Sequence, residues 1–189
     1  MSFDLAATLR RLKPQKREEK LIRRPDAELD FARDAPLAGP PLLLDTCVYI
    51  DTLQGRAPRE VKQLIVARVV NHSSVALAEL VHLFGRLDPS DHRTRTSLAK
   101  VASVVEAMPP HRLLAPSIQA MAEAGMVSGT IARLRGLAKS DRQPLLNDAI
   151  LFLQALEAGY NVLTRNIGDF DLIQQLVPGG SLLLYRPAE

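Results

Sequence analysis

The sequence predicts an α/β domain in which a small central parallel sheet lies between layers of helices. Short apolar runs alternate with longer segments of helical periodicity through most of the 189 residues. This alternation is typical of parallel sheets, whose strands are joined by crossover helices. Acidic residues also follow several of the apolar runs, at the positions where ligands collect in an open α/β sheet.

The composition limits the classes of protein that need to be considered. Hydrophobic residues make up 47% of the chain and Trp is absent, so we expect a mainly aliphatic core. The single cysteine excludes an internal disulfide framework and fits a reducing cytosol, which predicts a cytoplasmic protein. No apolar run approaches the roughly 20 residues that span a bilayer, and residues 1–5 do not begin a secretory signal. A net charge of +3 is compatible with a nucleic-acid partner without selecting one.

Residues 1–39 differ in composition from the rest of the chain. They carry a basic cluster between Arg10 and Arg24 and become acidic between Asp26 and Asp34. Such charge blocks are typical of arms that become ordered on a partner such as nucleic acid, although packing on the domain or on a second subunit is an equally good interpretation. We therefore predict a charged N-terminal extension over residues 1–39, partly disordered or packed, and a folded domain over residues 40–189.

The first half of the domain begins with a leucine run that is entered through two prolines and followed by Asp45. This run predicts a strand buried on both faces. Helices are predicted over residues 48–53, from Pro58 onward, and over residues 76–85 after a very short strand. The last of these helices carries Glu79 on an apolar surface, where a lone carboxylate is costly to ionise unless a cation or donor meets it.

The second half of the domain continues the same alternation. A helix over residues 91–108 and a strand over residues 111–116 lead to an antiparallel pair of helices joined around Gly125. The clearest helix runs from Leu145 to Gly159, and Asp148 in its first turn could serve the helix dipole alone. The remaining predicted elements are a strand, a polar loop that opens another helix, and a final strand, over residues 161–164, 165–171 and 181–185.

Four acidic side chains are candidates for a shared site. Three of them stand at strand-to-helix junctions or in early helix turns, and the fourth lies on the helix after the second strand: Asp45, Asp148, Asp169 and Glu79. If they line one edge of the sheet, their charges repel unless a cation offsets them. Mg²⁺ prefers such oxygen ligands, whereas zinc would want a His or Cys cluster. For Asp45 alone, capping of the next helix is an equally good interpretation.

Four segments of the sequence resemble PIN-domain nucleases. They are LLLDTCVYID from Leu42, SSVALAEL around Glu79, NDAI around Asp148, and VLTRNIGDF from Val162. Within that family the pattern is most similar to the VapC-type toxins of type II toxin–antitoxin systems, and it extends from residue 41 to about residue 185. The resemblance implies a three-layer α/β/α PIN-like fold, metal-dependent cleavage of RNA, and often a homodimer neutralised by a cognate antitoxin.

The resemblance also implies roles for individual residues. Catalytic and metal-binding roles fall on the four acids, of which the last occupies the more variable position: Asp45, Glu79, Asp148 and Asp169. Supporting polar positions next to these acids correspond to Thr46, Thr164 and Asn166. We further predict that Arg165 and Arg142 hold flanking phosphates. The expected cofactor is Mg²⁺ or Mn²⁺.

We therefore expect a metal-dependent endoribonuclease that is the toxin of a toxin–antitoxin pair, with RNA as substrate, an antitoxin as partner, a homodimeric state and no membrane association. The alternative is a non-catalytic PIN-like module for RNA binding or assembly. A phosphotransfer receiver or phosphatase would need an acidic pair and a late lysine that the sequence lacks. A single Glu79–His82 pair does not make a di-iron site, and Asp51 and Asp171 are interpreted as helix-start residues.

Overall fold

The computed structural model describes residues 3–188 and contains a five-stranded parallel sheet. In chain order its strands are β1 Leu42–Leu44, β2 Val70–Ser73, β3 Leu113–Leu114, β4 Asn161–Thr164 and β5 Ser181–Leu184. In space they are ordered β3-β2-β1-β4-β5. The chain moves outward from β1 to β3 and then returns to the other side of β1. The strand order therefore reverses between β1 and β4, where ligands bind in sheets of this class.

Helices cover both faces of the sheet. In the described part of the chain they are α1 Leu5–Leu12, α2 Thr46–Leu53, α3 Arg59–Ala67, α4 Ser74–Arg86, α5 Thr94–Glu106, α6 Ile118–Arg135, α7 Lys139–Ala158 and α8 Ile167–Leu176. Leu43 of β1 packs in one apolar cluster with α6, α7 and α8, whereas Leu42 and Leu44 pack in a second cluster with α2 to α5. The predicted three-layer α/β/α architecture is confirmed. None of the described helices is long and apolar enough to cross a membrane.

Two helix predictions on the α6–α7 side are wrong. The expected pair of helices joined at Gly125 is one continuous helix, α6, because a buried stripe on α6 packs along α7 on both sides of that glycine. Helix α7 begins at Lys139 instead of Leu145 and contains Pro144, since the apolar residues beyond the proline hold the helix in place. Asp148 consequently lies in the third turn of α7, which rules out the interpretation based on the helix dipole.

Smaller differences concern a strand, a loop and two aspartates. The strand expected over residues 111–116 shortens to β3 and follows a 3₁₀ turn, Pro110–Arg112. The polar loop expected over residues 165–171 is mostly the start of α8. Asp51 and Asp171 are not helix-start residues, because each lies in the second turn of its helix and is fully buried.

Residues 3–39, here called the N-terminal strap, pack on the domain. Helix α1 lies against α6, where Thr8 donates a hydrogen bond to Glu123 at 3.1 Å. The strap then follows α8 and reaches the edge strand β5, where Phe31 pairs with Leu184. Its end lies near α3, and Arg68 donates to the carbonyl oxygen of Leu37 at 3.0 Å. The structure thus corresponds to the packed form of the extension, one of the interpretations that the charge blocks left open.

Candidate active site

The four predicted acids are brought to the carboxyl edge of the sheet at its switch point. Asp45 directly follows β1, Asp169 lies in the first turn of the helix after β4, and Glu79 and Asp148 reach the same edge from α4 and α7. The charges of the other three acids all act on Asp148. A narrow space is lined by Asp45, Glu79 and Asp148. The predicted convergence of these residues is therefore present in the structure.

Asp45 is held by neutral donors in a buried position. Asp45 is 6% exposed. Its Oδ2 accepts hydrogen bonds from Thr164 Oγ1 at 2.6 Å and from Cys47 Sγ at 2.9 Å. Burial raises the pKa of Asp45, the two hydrogen bonds act against this rise, and the charge of Glu79 adds to it. Burial and the nearby Asp45 also raise the pKa of the Cys47 thiol, which keeps it protonated as a donor. Asp45 occupies the N-cap position of α2, but its side chain makes no capping bond, so capping does not explain it.

Glu79 is fixed through both of its carboxylate oxygens. Thr46 Oγ1 donates to Oε2 at 2.5 Å, and Asn147 Nδ2 donates to Oε1 at 2.6 Å. The contact of Thr46 agrees with the supporting position that the family resemblance implies. Asn147 was not among the predicted site residues, although its place directly before Asp148 was a signal that could have identified it.

Asn166 connects the remaining two acids. Its side-chain amide donates to Asp148 Oδ2 at 2.8 Å and to Asp169 Oδ2 at 3.0 Å. Its own Oδ1 accepts the backbone N–H of Asp169 and thereby caps α8. Desolvation raises the pKa of Asp148 well above its ordinary value, and the charges of Asp45, Asp169 and Glu79 raise it further against the hydrogen bond from Asn166.

The chemistry of these donors fits a hard divalent cation. The site offers carboxylate oxygens that repel one another, and none of the four acids forms an ion pair with Arg or Lys within residues 3–188. Oxygen ligands of this kind are those that Mg²⁺ and Mn²⁺ prefer. In the described part of the chain, however, no three His, Cys, Asp or Glu side chains are arranged as a ready-made metal cluster. Metal binding accordingly remains a proposal.

The two predicted phosphate-binding arginines are not in contact with the acids. Arg165 Nη1 lies 2.8 Å from Oδ1 of the buried Asp51, which also accepts hydrogen bonds from Arg56 and Tyr185. Arg142 is exposed, and its guanidinium donates to the carbonyl oxygen of Leu137. Arg165 therefore has a structural partner, and phosphate binding by either arginine stays a prediction.

Comparison with known proteins finds similarity in structure and none in sequence. No protein-family model and no curated protein sequence matches the chain. A chain of VapBC2 from Rickettsia felis, bound to a fragment of promoter DNA, matches with a TM-score of 0.51 and 16% identity over 77% of this chain and 99% of that chain. FitAcB from Neisseria gonorrhoeae matches with a TM-score of 0.53 and 17% identity, over 75% of this chain and 96% of that chain.

A third match is DNA-bound VapBC from Salmonella typhimurium, with a TM-score of 0.50 and 22% identity over 76% of this chain and 97% of that chain. At these identities the matches show the fold. The VapC-like PIN fold that the motifs implied is therefore confirmed.

Proposed function

We propose, from the premise of a VapC-like PIN fold, that the chain is a metal-dependent endoribonuclease and the toxin of a toxin–antitoxin pair. One observation carries the proposal: four carboxylates meet at the switch point of the sheet with no basic partner among the described residues. Such an arrangement costs stability and is of use only if a cation and an anionic substrate are brought together there.

Each side chain of the site has its own proposed role in hydrolysis. Asp45, Asp148 and Asp169, with Glu79, would hold Mg²⁺ or Mn²⁺. A bound ion of this kind supplies Lewis-acid assistance and offsets the charge of a phosphodiester. Thr164 orients Asp45, and Asn166 orients the two acids that it bridges. Glu79, whose carboxylate accepts hydrogen bonds from Thr46 and Asn147, would accept a proton from the attacking water.

The regulatory setting is proposed from the matched structures. VapBC2 from Rickettsia felis and VapBC from Salmonella typhimurium are complexes solved with DNA. A cognate antitoxin that binds this chain, and a homodimeric state of the chain, would place it in the same kind of system. Co-expression with the product of an adjacent gene, followed by co-purification, tests the antitoxin directly.

The catalytic proposal is tested with a fluorogenic RNA in the presence of Mg²⁺, Mn²⁺ or EDTA. We expect cleavage that depends on the metal, and Asp45→Asn should reduce it by at least about a hundredfold, the scale of losing one electrostatic element of an active site. Asp34→Asn, on an exposed surface of the strap, is the matched control and should leave cleavage unchanged. RNA binding by the wild type without cleavage would instead support the non-catalytic alternative.

A further inference from the structure

A cavity of about 470 Å³ lies on the face of the sheet that α2, α3 and α5 cover. Its walls are mainly apolar and include Val48 of α2, Ile65 of α3 and Val104 of α5. The volume is within the range of sites that hold small molecules. None of the four candidate acids is among the described residues that line this cavity, so a ligand here would be separate from the proposed active site.

Arg68 lines the cavity with a guanidinium group that is only partly hydrogen-bonded. The residue is 8% exposed. Its Nε donates to the carbonyl oxygen of Leu37 at 3.0 Å, and its Nη2 donates to that of Pro36, both in the strap. Its Nη1 is buried and has no hydrogen-bond partner within residues 3–188. A buried charged donor without an acceptor is unfavourable, and an acceptor that enters from the cavity would remove this cost.

The strap holds the guanidinium in this orientation. Gly39 packs so closely against it that a Cβ added there would lie 2.8 Å from Cζ of Arg68. Two of the three guanidinium nitrogens are bonded to the strap, and Nη1 is left for a ligand. The strap therefore forms part of the site.

The polar residues of the cavity wall make it positively charged. Arg112 also lines the cavity and forms no ion pair in the described part of the chain, and no Asp or Glu is among the lining residues described there. Burial lowers the pKa of His72, and the charge of Arg112 lowers it further. The His72 imidazole shares a 2.7 Å hydrogen bond with the hydroxyl of Tyr49, so this pair is a neutral polar group on the wall.

Apolar walls beside an arginine fit an organic anion better than either an inorganic anion or a hydrocarbon. A carboxylate oxygen that accepts from Nη1 forms a charge-assisted hydrogen bond. An apolar body of the same molecule removes the surface of Val48, Ile65 and Val104 from water. An inorganic anion would leave these walls wet, and an uncharged hydrocarbon would leave Nη1 of Arg68 without an acceptor.

We propose that the cavity between α2, α3 and α5 binds a small organic carboxylate with an apolar body, and that Arg68 binds its carboxylate group. Arg112 adds to the positive potential that attracts the anion. Binding requires neither a metal ion nor RNA, so the proposal goes beyond the proposed ribonuclease and does not depend on it.

Isothermal titration calorimetry of the full chain in EDTA tests the chemistry of the ligand. The probes are 4-phenylbutanoate, its amide, acetate and inorganic phosphate. We expect 4-phenylbutanoate to bind at least about tenfold more tightly than each of the others, because it alone combines a carboxylate with an apolar body. Equal binding of the amide or of phosphate overturns the proposal, and so does the absence of binding by 4-phenylbutanoate.

Variants on α5 and beside β3 locate the binding site. Val104→Phe fills the cavity without touching the contacts of Arg68 with the strap, and it should weaken binding of 4-phenylbutanoate at least about tenfold. Arg112→Gln should weaken it about threefold, since one nearby charge is lost. Arg95→Gln removes an exposed arginine of α5 that does not line the cavity, and it is the matched control. Equal affinities of the Val104→Phe and Arg95→Gln proteins would exclude the cavity.

Arg68→Gln tests the group that binds the carboxylate. This variant should lose the preference for 4-phenylbutanoate over its amide, and a folded variant that keeps the preference would overturn the role of Arg68. The change also removes bonds to the strap. If it prevents folding, the Val104→Phe protein and the probe series still decide the proposal. None of these measurements involves cleavage, so failure of the ribonuclease proposal leaves their result unchanged.

Discussion

Two groups of buried or half-buried acids in this chain differ in the partners that meet their charge. Asp171 is fully buried and pairs with Arg24 of the strap, whose Nε lies 2.6 Å from Oδ1. Asp51 is equally buried and pairs with Arg165 and Arg56. The acids at the switch point, by contrast, are met by hydroxyl, thiol and amide donors and by no Arg or Lys among the described residues.

We infer that the difference separates structural carboxylates from those of the proposed active site. A buried charge is tolerated when an opposite charge and hydrogen bonds offset its desolvation, and Asp51 and Asp171 satisfy this within the chain. Neutral donors orient Asp45 and Asp148 but do not cancel their charge. The remaining negative potential raises the pKa of Asp148, and it is the property that the proposed cation-dependent site needs.

The largest expected effect comes from breaking a compensated pair. Arg24→Ala should lower the free energy of unfolding by about 2–3 kcal/mol, because Asp171 is then left buried without its guanidinium. Urea denaturation measures the change. Arg23→Ala is the neighbouring control, since its pair with Asp26 is exposed on both sides and should contribute nothing measurable. Equal stability of the two variants would contradict the assignment of Asp171 as a structural acid.

Removing a charge that has no basic partner should raise the free energy of unfolding instead of lowering it. Asp148→Asn keeps an acceptor for Asn166 and relieves the repulsion from the other acids, so we expect a gain of about 1–2 kcal/mol in EDTA. The same change at Asp171 should destabilise the protein. The stabilities of both variants are measured by denaturant unfolding. Destabilisation by Asp148→Asn would contradict the claim that the charge of Asp148 is not offset within the chain.

A bound cation should stabilise the wild type for the same reason as the Asp148→Asn change, because both reduce the repulsion between the acids. Mg²⁺ at ten times its dissociation constant adds about 1.4 kcal/mol to the stability of the wild type, a shift of roughly 3–6 °C in Tm for a chain of this size. In the Asp148→Asn variant the shift should shrink strongly. Differential scanning fluorimetry with a Mg²⁺ titration checks both, and an equal shift in the two proteins would place the ion elsewhere.

The smallest effect is a difference in pH dependence. The folded pKa of Asp148 is raised above its ordinary 3.8, so the folded state binds the proton more tightly and stability in EDTA rises as pH falls from 7 toward that value. For Glu123 burial acts to raise the pKa, but the hydrogen bonds from Arg11, Gln119 and Thr8 outweigh it and lower the pKa below its ordinary 4.5. Its contribution is therefore present above pH 4.5 and is lost below it.

Stability curves of the wild type and of Asp148→Asn and Glu123→Gln separate the two groups. The Asp148→Asn protein should lose the rise on mild acidification, and the Glu123→Gln protein should lose part of the fall at lower pH. The same pH profile in all three proteins would contradict both assignments.

The sequence predicted those elements of the fold that are determined by neighbouring residues. The leucine run of β1 and the acid after it were predictable because a fully apolar run between turn residues has few other uses. The continuity of α6 through Gly125 and of α7 through Pro144 was not, because tertiary packing outweighs the unfavourable propensity of those two residues. Gly125 and Pro144 each look like helix breaks when only their neighbours in sequence are considered.

The site residues were predictable where an acidic residue stands at a strand end or on the helix that follows. Roles that depend on contacts with residues distant in sequence were not predictable. The four acids stand at strand ends or on the helices that follow, and the fold brings them together. The role of Asp171 depends on Arg24, 147 residues away in sequence, and no local pattern relates the two. The contact of Arg165 with Asp51 likewise joins residues 114 positions apart, and no local pattern indicated it.

The strap has a consequence for the order of events during synthesis. Residues 3–39 are synthesised before Glu123, Asp171 and Leu184, to which they dock. The strap, rich in arginine and lysine, therefore stays unattached until these later residues have also left the ribosome. Its docking closes long loops, such as the one between Arg24 and Asp171, which are 147 positions apart, and is expected to be a late step of folding.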